Sequence, residues 1–435
     1  MDSSPPPNPY HPDDPALAAF AGREAAFARL HQHLTSPTHA EAVLFLGRRH
    51  VGKTALLRHF GAFFDDTFID VYLPLQQTPL ESEERWLLHL VQGIGKALAL
   101  RDFTLTRLPE PPEASSQLRE WFADSYLDEL FGVIRYRRLA LLLDDADALL
   151  NALGQALPTD HLVYLQALVQ RYPQFGIALT LDTAHETAIP ALSPLIHAAE
   201  TFRLTNLSQQ ESRWLLQKPA AGLYAVPDDS ADTIYKATGG QPLLLQRAGR
   251  RLFERWEAQQ HLSQGSTHNA DLFADVKGII QQVYAESEAG FRETWQQATR
   301  DERLVLTAIV SLLYDDPLSK IDTTRIESWL VETDYPLDAT AINAALRSLE
   351  YNEIVSSTSN GLAITAGLMQ TWLLEHARLT DSPLHTAKQQ PDWRWAVVVA
   401  ILVVIGLLVA ISFASGGSPE ASGTPLPTVT LAGGE

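Results

Sequence analysis

Residues 47–54 read Gly-Arg-Arg-His-Val-Gly-Lys-Thr and satisfy the pattern G-x-x-x-x-G-K-[ST]. The apolar run 42–46 precedes them, and residues 55–60 follow with helical spacing and no breaker. A strand, a glycine turn and a helix in that order aim successive N–H groups and the positive end of a helix at one anion. Gly47 and Gly52 can let the backbone approach phosphate oxygens without a Cβ in the way. The expected cradle runs from Gly47 through Arg48, Arg49, His50, Val51 and Gly52 to Lys53, Thr54 and Ala55. Lys53 is the expected point charge for β- and γ-phosphates, and the Thr54 hydroxyl the expected Mg²⁺ ligand. The stretch predicts binding of a nucleoside triphosphate.

Such a loop needs an acidic partner, and residues 139–145 read Leu-Ala-Leu-Leu-Leu-Asp-Asp. A strand covered on both faces would carry Asp144 at its C-terminal tip, where it can hold Mg²⁺ through water. Asp145 is then placed to orient or deprotonate the attacking water. Alternatively, two adjacent aspartates could simply cap a helix starting at Ala146. Thr180 and Thr183, at the end of the next apolar run, are both placed to sense a γ-phosphate, and spacing does not choose between them. Arg203 and Arg213 could complete the site, although a lone arginine near a strand end is more often a surface charge.

These groups need a scaffold, and the pattern of the chain supplies one. Apolar runs at 67–73, 139–143, 175–181 and 201–204 alternate with helical periodicity at 82–100, 116–135 and 161–171. That alternation predicts an α/β fold, a parallel sheet with helices on both faces. A helical segment follows from 208, then three helices at 302–314, 323–331 and 339–351. Two short runs around Ser-Asn-Gly at 359–361 read as a hairpin. Three helices and a hairpin make a winged-helix pattern. The expected division is an N-terminal disordered arm at 1–19, a nucleotide-binding core at 20–206 and a helical lid at 207–275. A winged-helix unit with leading helices at 276–379 and a linker at 380–394 complete the part before residue 395.

Composition limits the alternatives. The chain has 435 residues, no cysteine and a net charge of −19. Disulfides and thiolate metal sites are excluded, and a large phosphate-binding surface is disfavoured. The fourteen histidines show no zinc spacing and are expected on solvated faces. Residues 396–414 form 19 uncharged, mostly apolar positions. At 1.5 Å per residue they extend about 28 Å, enough to cross a bilayer. Trp393 and Trp395 stand at the near edge. Arg378, Lys388 and Arg394 precede the run and no Lys or Arg follows it. The expectation is one transmembrane helix at 395–414 in the cell membrane, with the bulk of the chain cytoplasmic and a disordered outer tail at 415–435.

Taken together, the chain resembles the STAND class of P-loop ATPases, the signal-transduction relatives of AAA+ proteins. Residues 8–379 carry the likeness: Asn8-Pro9-Tyr10, Phe20-Ala21-Gly22-Arg23-Glu24, the phosphate loop, 141–145, 204–208, and the run Thr238-Gly239-Gly240-Gln241-Pro242. The resemblance implies that Pro242 packs on adenine, that Arg23 lies near the nucleotide, and that ATP or ADP with Mg²⁺ is the cofactor. It also implies a slow switch that recognises a protein partner or itself. Asp145 stands where many AAA+ hydrolases have Glu, so slow hydrolysis is expected. The alternative is an initiator-like ATPase that binds DNA through its winged helix. From Asp301 to Arg378 there are five Lys/Arg against twelve Asp/Glu, and helix 339–351 carries only Arg347, so nucleic acid is the less favoured partner.

Overall fold

A computed structural model describes residues 6–377, apart from 36–41, 65, 104, 198–199, 264–275, 317–319 and 359–360. Five strands, β1 (Val43–Gly47), β2 (Phe68–Pro74), β3 (Arg138–Asp144), β4 (Phe175–Asp182) and β5 (Thr201–Arg203), form one sheet in the order β2-β3-β4-β1-β5. Every pairing is parallel, with Phe45 level with Thr180 on one side and Phe202 on the other. The continuous apolar runs arise because both faces are covered. Leu44 and Leu46 point into one layer with Trp86, Leu90 and Ile94 of the helix Glu83–Ala99. Val43 and Phe45 point into the other, against Phe27 and Leu30 of the helix Glu24–Leu34 and Leu56 of Lys53–Arg58. The tips of β1, β4 and β3 lie side by side at one edge of the sheet.

Three expectations need correction. The single helix expected at 116–135 is instead a 3₁₀ turn, a short α turn, a π-helical stretch Trp121–Tyr126 and a helix Leu127–Ile134. The wider turn seats Phe122 and Tyr126, both buried, with their rings stacked 5.6 Å apart. The histidines are not all on solvated faces. His161 is fully buried, its Nδ1 2.7 Å from Glu83, and buried His33 lies 2.6 Å from Glu200. Glu83 satisfies a His161 ring nitrogen that burial would otherwise strand, and Glu200 stands at ion-pair distance from His33. The N-terminal arm is held from residue 6 onward. Tyr10 is 1% exposed and donates to the Leu216 carbonyl at 2.7 Å. Its ring occupies space left by Gly249, where a Cβ would come within 2.4 Å of it.

Beyond the sheet the described chain is helical: Gln209–Gln217, Asp228–Thr238, Pro242–Ser263 and Val276–Gln297. Then come Arg300–Asp315, Thr323–Glu332 and Ala339–Tyr351, the antiparallel pair β6 (Val355–Thr358) and β7 (Gly361–Ile364), and a helix Gly367–His376 beyond the expected pattern. Helices Gln209–Gln217 and Arg300–Asp315 start with reciprocal caps, Ser208 with Glu211 and Thr299 with Glu302. One apolar cluster runs through this part from Tyr10 to Leu373. The expected linker, membrane span and tail at 380–394, 395–414 and 415–435 lie outside the described residues. Among those described, no helix is long and apolar enough to cross a membrane.

Candidate nucleotide-binding site

The phosphate loop takes the shape its glycines predict. Gly47 closes β1, and a Cβ there would lie 2.7 Å from Val51 and 3.1 Å from the Leu204 carbonyl. Gly52 has φ 95° and starts the helix Lys53–Arg58. His50 also sits at positive φ, 66°, without a glycine's freedom. Burial and the charges of Arg49 and Arg247 hold its imidazole down at about 4, so the ring is neutral at pH 7. Lys53 is buried, and its ammonium donates to the carbonyls of Gly47 at 2.7 Å and Arg48 at 3.1 Å. Its third partner is the Asp182 carboxylate at 3.0 Å.

The acids stand at the neighbouring strand tips. Asp144 is 2% exposed and accepts from Thr180 Oγ1 at 2.5 Å and from the Tyr72 hydroxyl at 2.9 Å. Thr180 in turn accepts from the Asp145 amide at 2.9 Å, which turns the chain sharply. Asp145 adopts φ 60° and reaches the cleft. Burial, and next the charge of Asp144, raise its carboxyl above the usual carboxylate range, the shift expected of a proton acceptor. Thr54, Asp145 and Asp182 line the cleft, with Asp144 behind them. This donor set is all oxygen, which suits Mg²⁺, and the carboxylate oxygens retain lone pairs for metal-bound water.

One cleft of about 480 Å³ joins this phosphate end to a base end. Arg23, half-buried, lines it and donates to the Val51 carbonyl at 2.8 Å. Pro242 begins the helix Pro242–Ser263 directly over the loop, 3.9 Å from where a Cβ on Gly52 would be. The turn before it is locked. Gly240, at φ 73°, accepts from the Leu207 amide at 2.9 Å, and a Cβ there would meet the Leu207 carbonyl at 2.0 Å. Residues of the N-terminal arm, including Pro15, Ala18 and Ala19, form the opposite wall.

The loop also touches the C-terminal helices. Arg48 donates to the Asn352 carbonyl, and Arg49 pairs with Glu293. Glu353 accepts from the Asn206 amide at 2.8 Å, and Tyr351 donates to Glu186 at 2.6 Å.

The structure brings Arg23, Arg49 to Ala55, Asp145 and Pro242 to one cleft, with Gly47, Arg48 and Asp144 beside it. It does not place Thr180 or Thr183 as the sensing hydroxyl. Thr180 is buried against Asp144, and Thr183 faces Asn352 at 3.3 Å. The residue at that strand tip is Asp182, whose only sequence signal was its place at the end of an apolar run. Arg203 lies under the Tyr351 ring, 3.3 Å from its centroid, and Arg213 pairs with Asp232 at 2.6 Å, so neither enters the cleft.

Several solved structures are similar to this chain. A Walker-type ATPase of Pyrococcus abyssi matches over 85% of this chain and 99% of its own, with TM-score 0.54 and 17% identity. The ORC2 protein of Aeropyrum pernix, solved with ADPNP and ADP, covers 90% and 94% at TM-score 0.49 and 14% identity. Cdc6p of Pyrobaculum aerophilum covers 86% and 98% at TM-score 0.40 and 18% identity. No curated protein sequence matches. The likeness to the Pyrococcus protein, at that identity, is one of fold. A family model described as an ATPase domain predominantly from Archaea matches residues 20–248, just over half of the chain. Together with the loop, the acids and the five-stranded parallel sheet, that match means that the chain belongs to this ATPase family, as an ATP-hydrolysing P-loop enzyme.

Proposed function

We propose that the chain is a nucleotide-operated switch, in which ATP binding and hydrolysis control the seating of the C-terminal helices on the phosphate loop. Its parts would be a core at 20–206, a lid at 207–275 and a winged-helix unit within 276–379. The observation that carries this reading is the reach of Arg48 and Arg49 from the loop to Asn352 and Glu293. Arg49 lines the same cleft as Lys53 and Arg48 stands beside it in the loop, so an incoming triphosphate would compete with the C-terminal helices for both. Lys53 would exchange the Asp182 carboxylate for phosphate oxygens. Thr54 and, through water, Asp144 would hold Mg²⁺, which when bound neutralises charge on the β- and γ-phosphates. Asp145 would take the proton of the attacking water. A slow switch of the STAND class fits this scheme, and so does a cytoplasmic ATPase held to the cell membrane by a span at 395–414. Its protein partner could be a second copy.

The output could instead be DNA. Proteins named for origin recognition are among the similar solved structures, so kinship fits the initiator-like reading better than the signalling one, though only as fold. The structural observation behind it is a polar groove between the helix Ala339–Tyr351 and the hairpin, bearing Lys320, Arg347, Ser357 and Thr358. Asp322 and Glu350 in the same groove weaken it.

Arg48→Ala in the full-length chain tests the switch. Loss of one charge-assisted hydrogen bond, worth about 1.5–3 kcal/mol, should speed release of a fluorescent ADP analogue at least severalfold. Unchanged release would sink the competition between loop and helices. Binding of a fluorescent DNA duplex at low salt, lost in Arg347→Glu, would favour the initiator-like output.

A further inference from the structure

Asp144 is held by a side chain that the catalytic scheme does not use. Tyr72 lies on β2, the edge strand beside β3, where it pairs with Leu142 as Pro74 pairs with Asp144. Side chains alternate along a strand, so Tyr72 and Asp144 share one face, the one packed against the helix Lys53–Arg58. The Tyr72 hydroxyl donates to Asp144 Oδ2 at 2.9 Å, while Thr180 Oγ1 donates to Oδ1 at 2.5 Å. An ionised carboxylate can only accept, so each oxygen takes one hydroxyl and keeps a lone pair. Two donors on opposite oxygens fix a carboxylate's rotation, which a single donor leaves free to swing. With Asp144 2% exposed, bulk water does little of this holding. The face of the Tyr72 ring carries the Arg58 guanidinium, 4.6 Å from the centroid. Arg58 ends the helix that Lys53 begins, so Tyr72 stands between the phosphate-loop helix and the acid.

We propose that Tyr72 is a positioning residue for Mg²⁺, turning the Asp144 carboxylate so that its remaining lone pairs meet metal-bound water. The inference rests on the reading above of Thr54 and Asp144 as the partners of Mg²⁺, and adds the group that aims one of them. A carboxylate that acts through water has no direct bond to the metal to orient it, so the protein has to supply the orientation. Tyr72 itself stays behind the acid and is not among the walls of the cleft, so its hydroxyl acts through Asp144 and not on the nucleotide. Phenylalanine would fill the same space and keep the Arg58 contact, but would leave Oδ2 without its donor. Groups that orient a metal's partner are worth about 10- to 100-fold in metal affinity, and one donor of two belongs at the lower end.

Binding of a fluorescent, non-hydrolysable ATP analogue to the full-length protein, in excess MgCl₂ and in EDTA, tests the assignment without any turnover. Wild type should bind the analogue more tightly with Mg²⁺ than without it. Tyr72→Phe should lose about tenfold of that gain and keep the EDTA affinity within about twofold of wild type. An undiminished gain in Tyr72→Phe would overturn the positioning role alone. So would an equal fall in EDTA and in Mg²⁺, which would make Tyr72 a packing residue. No gain from Mg²⁺ in wild type, with the analogue bound, would overturn Thr54 and Asp144 as the metal's partners, and this inference with them.

Discussion

The two ends of the cleft are built on opposite principles. At the phosphate end most of the charges already have a partner. Lys53 has two carbonyls and Asp182, Arg48 has the Asn352 carbonyl, and Asp144 has Thr180 and Tyr72. At the other end Leu207, Leu215, Pro242 and Leu243 give the cleft apolar walls. Triphosphate must therefore displace internal contacts, whereas a base only fills space. The phosphate end is suited to switching, since binding there has to rearrange the protein. The base end is suited to holding, because nothing has to be broken.

The largest effect that would test this contrast is on chemistry. Asp145→Asn should retain nucleotide affinity and lower turnover by about a hundredfold, within the range that general-base catalysis contributes. Asn tolerates the left-handed backbone at this position, so the fold is kept. Because the Asp145 carboxyl is raised, wild-type turnover should fall on acidification sooner than for an ordinary carboxylate, as the base becomes protonated, while the residual rate of the variant stays flat. A steady-state rate in Asp145→Asn equal to wild type would move the base elsewhere.

Next in size is Lys53→Ala, which removes the buried ammonium that the phosphates must recruit. ATP affinity measured by calorimetry should fall at least about tenfold, as expected for a charge-assisted hydrogen bond. Equal affinity would mean that internal pairing with Asp182 leaves Lys53 no role in binding. The smallest effect belongs to the base end. Pro242→Ala should weaken ADP about two- to threefold through lost packing, with inorganic triphosphate unaffected. A comparable loss for both ligands would show that Pro242 shapes the loop rather than the base slot.

Much of this molecule could be read from local pattern. The parallel sheet was legible because a strand covered on both faces has to be apolar along its middle, and β1, β3 and β4 are mostly so. The phosphate loop was legible because its glycines and lysine are required by geometry at fixed offsets. The broken helix around Trp121–Tyr126 was not, since the period of its apolar residues does not reveal how two stacked rings widen a turn. The hold on the N-terminal arm was equally hidden. Its proline-rich composition predicts no structure, and Tyr10 is ordered only because Gly249, far along the chain, leaves a socket for its ring.

From residue types and spacing alone, this chain had to be a P-loop ATPase with Lys53, Thr54 and an acidic pair at a strand tip. Those assignments depend on contacts within a few residues of the loop or on one strand, and such contacts are written in order along the chain. Which residue faces Lys53, where Arg48 and Arg49 point, and which carbonyl Gln246 holds were decided only by the tertiary structure. Asp182, Asn352 and Ala19 are 129, 304 and 227 residues from their partners. Strand order and helix packing, rather than any sequence period, bring side chains together across such separations.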